Sequence, residues 1–325
     1  MKRAVIQTCF YLFTGLLITT VHAFEPTDPA CLAPAKQGGG IHLTCELAST
    51  SLLAANLIDI PMETIFKPGG IGAVAYNYVV GVKRNDPSMV VAASSGSALN
   101  LAIKKFGRYG VEDVRWLGAL GADYGLVAVQ PDAPWNSLVE LINDLKRGQP
   151  IVIGGGGSIG SQDWMKSALL AREAGLDPKK LNYVAFEGGG EALSAFAAGH
   201  FQVFSGDVSE VRDLLSREEI KVLAVFSPDR LNGHLSSIPT ATEQGYPIQW
   251  RVWRGFYMGP DVSDDAYNWW VNTFRRLVKT EEFNEQRKKL GLYPFFMVGE
   301  EFGTYVRKSV RKHRRTAMDI GLIHD

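Results

Sequence analysis

The residues with the clearest potential for chemistry lie in one glycine-rich segment near the middle of the chain, residues 151–164. Ser158 stands there in the pattern Gly-x-Ser-x-Gly, which in hydrolases presents a nucleophilic serine on a sharp turn between a strand and a helix. Asp207 and His234 follow in the order that a serine hydrolase requires. The sequence therefore allows a hydrolase that uses Ser158, although four consecutive glycines before the serine would make an unusually loose turn.

The same segment also matches the glycine pattern of dinucleotide-binding folds, through Gly155, Gly157 and Gly160. That pattern requires an acidic residue about 20 positions further on, at the tip of the next strand, where it binds a ribose. The acids nearest to that position, Glu173 and Asp177, fall at the end of a predicted helix. The spacing therefore argues against a dinucleotide site.

Four glycine-rich turns precede predicted helices, and together they favour ligand binding without covalent chemistry. The first N–H groups of a helix have no intrahelical partner, and they carry the positive end of the helix dipole. A turn that leads into a helix is therefore a ready site for an anion. If several such turns face one cleft, their N–H groups can hold a ligand with more than one carboxylate. The turns lie at residues 38–40, 69–70, 156–160 and 188–190.

The elements that must position these turns repeat the order strand, glycine or serine turn, helix. This alternation predicts a parallel sheet with right-handed crossovers, in which ligands bind beyond the carboxyl ends of the strands. A chain of 325 residues is long enough for two domains. Breaks in the pattern near residues 131–134 and 250–258 indicate two crossings between them. We therefore predict one domain from residues 24–130 and 252–325, and a second from residues 131–251.

Two local predictions concern the ends of strands. Aliphatic runs at residues 116–120 and 125–130 predict two separate strands. The β-branched run at residues 151–153 predicts a short strand that gives way to a turn at the first of the four glycines.

The first 23 residues have the features of a secretory signal. Lys2 and Arg3 precede an apolar run that extends to Thr20, and small residues stand on either side of His22. This pattern predicts cleavage after Ala23 and a mature protein in the periplasm. Removal of the signal leaves 32 basic and 34 acidic residues, so the net charge offers no general attraction for nucleic acid or membrane.

Three cysteines are present, and Cys9 lies within the predicted signal. Cys31 and Cys45 would remain in an oxidising compartment, where paired cysteines usually form disulfides. We therefore predict a disulfide between them. It would close a loop of about 15 residues and stabilise the fold by about 3 kcal/mol.

Five motifs extend through the chain in order, and a sixth, RGFY at residues 254–257, follows them. They read PAKQGGG at residues 34–40, KPGGIGA at 67–73, GSIGSQDWM at 157–165, VAFEGGGEA at 184–192 and SGD at 205–207. Together with the two cysteines, these motifs resemble those of the substrate-binding proteins of tripartite tricarboxylate transporters. This is the Bug family, and the motifs look like those of its citrate-type (TctC) branch.

The resemblance implies an α/β protein with the two-lobed type II periplasmic-binding-protein fold, in which a cleft separates two Rossmann-like domains. It implies a non-enzymatic, periplasmic solute-binding protein that captures a tri- or dicarboxylate similar to citrate. The ligand would be delivered to the permease subunits of the transporter in the membrane. This function needs no cofactor and no metal site, although a citrate-like ligand could bring its own divalent cation. A ligand-presenting partner of a membrane sensor kinase is an alternative role.

We expect backbone N–H groups of the turns to hold the ligand, together with hydroxyl groups and charged side chains. Lys36 and Arg254 would neutralise carboxylate charge, and Asp207 would cap a helix or bind a hydroxyl or amine of the ligand. His42 stands where family members usually carry aspartate, and it would either donate to a carboxylate or face solvent. The predicted ligand-binding residues are Lys36, Gly38, Gly39, Gly40, His42, Ser95, Ser97, Ser158, Ile159, Gly160, Gln162, Glu187, Gly188, Asp207 and Arg254.

Overall fold

The computed structural model of the protein describes residues 24–324. The predicted signal and its cleavage site at Ala23 lie outside the described residues. Within residues 24–324, every helix is too short or too polar to cross a membrane.

Strands and helices alternate through most of the described chain. The strands are β1 (Ala30–Ala33), β2 (Glu63–Phe66), β3 (Met89–Ser94), β4 (Arg115–Val129), β5 (Val152–Gly156), β6 (Asn182–Phe186), β7 (Val203–Asp207), β8 (Lys221–Val225), β9 (Arg251–Met258) and β10 (Met297–Val298). The α-helices are α1 (Gly40–Ala54), α2 (Ala73–Gly81), α3 (Ser95–Ala102), α4 (Leu138–Lys146), α5 (Gln162–Glu173), α6 (Gly189–Ala197), α7 (Val208–Ser216), α8 (Asp264–Leu277), α9 (Glu281–Lys289) and α10 (Glu300–Asp319).

The strands form two groups that share β4, and each group is the sheet of one lobe. In the first lobe, β1 lies parallel between β2 and β3, and β9 lies antiparallel between β3 and β4. In the second lobe, β5 lies parallel between β6 and β7, while β7 and β8 pair antiparallel with β4. The predicted parallel arrangement is therefore correct for the strands that helices connect. It is wrong for β4 and β9, which carry the chain between the lobes.

Strand β4 is the first connection between the lobes. Its residues 115–124 pair with β9, and its residues 125–129 pair with β7 and β8. The two separate strands predicted in this region are therefore one strand. Ala122 keeps the backbone extended in between, because its N–H and C=O both bond to Tyr293. The partner change after Tyr124 precedes the break at Pro131 that marked the predicted domain boundary, and the division into domains remains a prediction.

Each lobe buries apolar side chains on both faces of its sheet. In the first lobe, Trp270 and Phe274 of α8 pack on one face, and Tyr76 and Trp116 belong to the cluster on the other. In the second lobe, one cluster includes Trp164 of α5 and the other is built around phenylalanines of α6 and β7. These cores fix the strands whose carboxyl ends border the cleft.

The structure contains the predicted disulfide between Cys31 in β1 and Cys45 in α1. Both residues are fully buried, and their Cα atoms lie 5.7 Å apart. The bond ties α1, whose first turn borders the cleft, to the strand before it.

Strand β5 extends further into the glycine run than predicted, because Gly154 to Gly156 continue the ladder with β6. These glycines are required by close packing and not by a turn. A Cβ atom at Gly154 would lie 2.5 Å from the Phe201 ring, and one at Gly156 would lie 2.7 Å from the Gly189 nitrogen. The turn begins only at Gly157, whose φ of +86° favours glycine.

Candidate ligand-binding cleft

A cavity of about 100 Å³ lies between the lobes where several helices begin. The first lobe contributes the segment before α1 and the start of α3, and the second contributes the starts of α5, α6 and α7. The lining includes these residues from the predicted set: Lys36, Gly39, Gly40, Ser97, Gln162, Glu187, Gly188, Asp207 and Arg254. Glycine turns of both lobes thus meet at one cavity.

Two of these helices, α1 and α6, approach the cavity from different lobes without a capping side chain. Their N-cap residues, Gly39 and Gly188, have no side chain to satisfy the first-turn N–H groups. Ile41 and Gly190, in the second position of each helix, both line the cavity. Helical N–H groups at this position have no intrahelical acceptor, so both helices can donate to an anion in the cavity.

Ser97 adds a hydroxyl donor at the start of α3. Its Oγ accepts a hydrogen bond from the Ser94 N–H at 3.2 Å in a capping box. Because the backbone donor uses only a lone pair of the hydroxyl, the Ser97 O–H remains free to donate into the cavity.

Beneath the cavity lies a buried cluster of charged side chains that joins the lobes. Arg254 of β9 donates to Asp123 Oδ2 at 2.7 Å and to Asp207 Oδ2 at 2.8 Å. Lys166 of α5 donates to Asp207 Oδ1 at 2.7 Å and also pairs with Asp163 at 2.9 Å. Both cations are therefore already bound by carboxylates of the protein.

Glu210 completes the cluster and contacts the opposite lobe. Its Oε1 accepts from the Gly40 N–H at 3.1 Å, and its Oε2 accepts from the Asp207 N–H at 3.1 Å. Burial raises the pKa of Glu210 to about 8, and the negative charges of Asp207 and Asp163 contribute to the same shift. At neutral pH the closed cleft therefore holds Glu210 mainly as the uncharged acid.

The pKa values of two other carboxyl groups in the cluster shift in opposite directions, depending on their partners. Burial opposes ionisation of Asp207, but Lys166 and Arg254 outweigh it and hold the pKa of Asp207 below its ordinary value. Burial dominates at Asp123 and raises the pKa of that carboxyl despite the adjacent Arg254. The central ion pairs thus stay charged, and Arg254 acts in this structure as a link between β4, β7 and β9.

The two lobes touch at the mouth of the cleft, so the structure is that of a closed form. Lys36 of the first lobe pairs with Glu191 of the second at 3.3 Å. Lys105 donates across the cleft to Ser158 Oγ at 2.9 Å and to the Ile159 carbonyl at 2.7 Å. These exposed contacts and the bond from Gly40 to Glu210 hold the lobes together around the cavity.

Ser158, Ile159 and Gly160, which the sequence placed at the ligand, lie outside the cavity lining. The Ser158 hydroxyl is used by Lys105, and the Ile159 side chain is 59% exposed. Gly160 packs where a Cβ atom would lie 2.9 Å from Leu322. Their segment closes against the first lobe beside the cavity.

Gly38, His42 and Ser95 also lie outside the lining. His42 accepts a hydrogen bond from the Gly38 N–H through Nδ1 at 3.3 Å, and its ring packs beside Phe66. His42 thus fixes the turn before α1. Ser95 faces a second cavity described below.

Sequence reasoning missed the buried partners of Asp207 and Arg254. The spacing of Asp207 and Glu210 is that of a capping box, which was readable from the sequence. Asp163 and Lys166 stand three residues apart on one helix, the spacing of a helical ion pair. Asp123 was visible as a lone acid in an apolar run, but its contact with Arg254 joins distant parts of the chain.

The geometry offers no support for a serine hydrolase. Neither Ser158 nor His234 lines the cleft, and the Asp207 carboxylate is occupied by Lys166, Arg254 and Gln162. Within residues 24–324, no group of three or more His, Cys, Asp or Glu side chains is arranged to hold a metal ion. The N–H and O–H donors that remain free in the cleft are suited to binding an anion.

Comparisons with known proteins agree with this architecture. The structure is similar to that of the periplasmic binding protein BugD, with a TM-score of 0.80 at 16% identity over 91% of this chain and 99% of BugD. It is also similar to MatC from Rhodopseudomonas palustris with bound malate (TM-score 0.77, 17% identity, 89% and 98% of the two chains) and to R. palustris Rpa4515 with adipate (TM-score 0.79, 18% identity, 90% and 97%). The fold is therefore the predicted α/β periplasmic-binding-protein fold.

The sequence itself carries the family assignment. Residues 77–322 match the receptor of the tripartite tricarboxylate transporter family, TctC. This match covers most of the chain, and the proteins it describes are solute receptors and not enzymes. The chain therefore belongs to the TctC family of tripartite transporter receptors.

Proposed function

We propose that this receptor captures a small dicarboxylate in the cleft and, in the periplasm, delivers it to the membrane permease subunits of a tripartite transporter. The observation that carries the proposal is the convergence of α1 and α6, from different lobes and without capping side chains, on one cavity. Each helix end can bind one carboxylate, so a ligand with two carboxylates would bridge the lobes in their closed arrangement. The bound malate and adipate of the two similar structures support this ligand class.

The charge of the cavity lining favours a dicarboxylate over citrate. Acidic side chains outnumber basic ones in the lining, and both cations there already have carboxylate partners. A third carboxylate would add repulsion without gaining a free cation.

The ligand class can be tested by thermal unfolding in the presence of malate, succinate, adipate or citrate. A ligand at 100 times its dissociation constant should stabilise the protein by about 2.7 kcal/mol. We expect the dicarboxylates to raise the melting temperature more than citrate does. An unmoved melting curve with every acid would contradict the proposal.

A matched pair of serine variants tests the location of the ligand. Ser97→Ala removes a hydroxyl from the cavity, and we expect it to weaken dicarboxylate binding by about 1 kcal/mol, or roughly fivefold. Ser158→Ala removes a hydroxyl that binds Lys105 at the edge of the cleft, so we expect a smaller effect. Titration calorimetry should rank the two variants in that order, and the reverse order would place the ligand elsewhere.

Delivery to the permease requires a separate experiment. Vesicles that contain the permease subunits should accumulate labelled dicarboxylate only when the receptor is added. Binding without any receptor-dependent uptake would support the alternative role in presenting ligand to a sensor kinase.

A further inference from the structure

A second cavity, of about 370 Å³, lies on the other side of the strands that connect the lobes. Successive side chains of a strand point to opposite faces, so the faces of β4 and β9 differ. Asp123 and Arg254 belong to the charged cluster beneath the cleft, whereas Tyr124 and Trp253 line the second cavity. This cavity is therefore distinct from the ligand cleft.

The walls of the second cavity come from both lobes. The first lobe contributes the start of α3 and one side of α10, and the second contributes Leu169 of α5 and Phe226 after β8. Its volume falls within the ordinary range of small-molecule sites, about 300–1,000 Å³. An occupant would thus bridge the lobes on the side opposite the cleft.

The chemistry of these walls is cationic and aromatic. Arg251 and Lys312 line the cavity, no acidic side chain lines it, and neither cation forms an ion pair with any residue between 24 and 324. The rings of Tyr124 and Tyr305 are half-buried and supply apolar surface, together with an edge of Trp250, whereas Trp253 is almost completely buried behind them. The two indole N–H groups are also buried without an acceptor among the described residues.

His313 adds a polar but uncharged group. Burial, with a contribution from Lys312, lowers the pKa of His313 to about 4, so its imidazole is neutral at physiological pH. Its ring lies beside Trp250, with 5.7 Å between centroids. The fixed positive charge of the cavity therefore comes from Arg251 and Lys312, which lie on separate segments of the chain.

We propose that this second cavity is a second binding site, which takes an aromatic carboxylate. The carboxylate contacts Arg251 and Lys312, and the ring packs against Tyr124, Trp250 and Tyr305 of the wall. Free carboxylates pair strongly with unpaired guanidinium and ammonium groups, and aromatic surface is the other common component of small-molecule sites. Ser95, which the sequence assigned to the main ligand, belongs to this second site.

Titration calorimetry of the full chain with 2-naphthoate tests the proposal. We expect one-to-one binding, and we expect the double variant Arg251→Gln, Lys312→Gln to weaken it by about tenfold or more. The control is Lys308→Gln with Arg311→Gln. It also removes two positive charges, but both come from residues of α10 that do not line the cavity. Its affinity should stay within about twofold of the original, because diffuse attraction by exposed charges is weak.

Three results would overturn the proposal. Absence of naphthoate binding to the unaltered protein would remove the site, and an equal loss in both double variants would reduce the effect to general attraction by a basic helix. Unchanged affinity in both variants would place the naphthoate elsewhere. Circular dichroism of each variant should show an unaltered fold, which the exposure of all four side chains favours.

Discussion

Substitution of Glu210 by glutamine should remove most of the pH dependence of ligand binding. Glu210 in α7 accepts a hydrogen bond from Gly40 in α1, and these helices belong to different lobes. Opening of the cleft separates them and admits water to the carboxyl group. The pKa of Glu210, about 8 in the closed form, should then fall toward its ordinary value of 4.5.

The sign of the effect follows from this difference in pKa. The closed form holds the Glu210 proton up to a higher pH than the open form, so closure takes up a proton. Binding should be strongest at low pH and should weaken as the pH rises through about 8. With one proton taken up and an ordinary pKa in the open form, the dissociation constant would rise by about 16-fold between roughly pH 6.5 and pH 8.

That value is an upper limit, because Asp207 and Asp163 stay beside Glu210 on the same lobe when the cleft opens. We therefore expect a rise of at least about threefold for the unaltered protein over this range. Glu210→Gln cannot titrate, and its amide oxygen can still accept one of the two backbone N–H groups that Glu210 binds, that of Gly40 or that of Asp207. Its dissociation constant for malate should change little with pH.

The assay is titration calorimetry of malate at several pH values, in two buffers that differ in ionisation enthalpy. The buffer comparison should reveal proton uptake by the unaltered protein and little by the glutamine variant. Glu191→Gln is the matched control, since Glu191 is an exposed acid at the mouth of the same cleft, and it should keep the original pH dependence. Equal slopes for the unaltered protein and Glu210→Gln would refute the assignment of the proton to Glu210.

Three further predictions concern stability and closure. Lys166→Met should lower the free energy of unfolding by about 3–5 kcal/mol in urea titrations, because it leaves Asp163 and Asp207 buried without their lysine. Unchanged stability would contradict a stabilising role for these ion pairs. Replacement of both half-cystines by alanine should lower it by about 3 kcal/mol, measured in the same way, and a loss below the error of that measurement would count against a role in stability. Lys36→Ala should weaken malate binding by less than about fivefold, since exposed ion pairs contribute under about 1 kcal/mol. High salt should abolish this difference from the unaltered protein. A larger loss that persists in high salt would make Lys36 a direct ligand contact.

The sequence was most informative where local pattern decides structure. The order of strands and helices, the disulfide and the glycine turns on either side of the cleft all follow from short-range signals such as periodicity and composition. Glycine composition was misleading in β5, because Gly154 and Gly156 are needed for close packing against Phe201 and Gly189, which are distant in sequence. Close packing and a tight turn both require glycine, so the sequence alone could not show which of the two explains the glycines of β5.

The site was predicted less completely than the fold. Arg254 was expected to face a ligand carboxylate, but Asp123 and Asp207 already occupy its Nη2 donor in a contact that depends on how β4, β7 and β9 meet. Ser97 and Ser158 were both expected at the ligand, and of these two only Ser97 lines the cavity. Such outcomes depend on long-range geometry, which residue spacing along one segment does not encode.

The position of β9 has a consequence for the order in which the chain can fold. β9 lies at the centre of the first lobe, between β3 and β4, although it follows the whole of the second lobe in sequence. As the chain emerges from its amino end, β1 to β3 can pair, but their sheet lacks its middle strand until Met258 is available. The second lobe has its strands β4 to β8 earlier, so it is the first unit able to complete its sheet. Refolding experiments should therefore show protection of amide hydrogens in β5 and β7 before protection in β9, since contacts that close long loops form late.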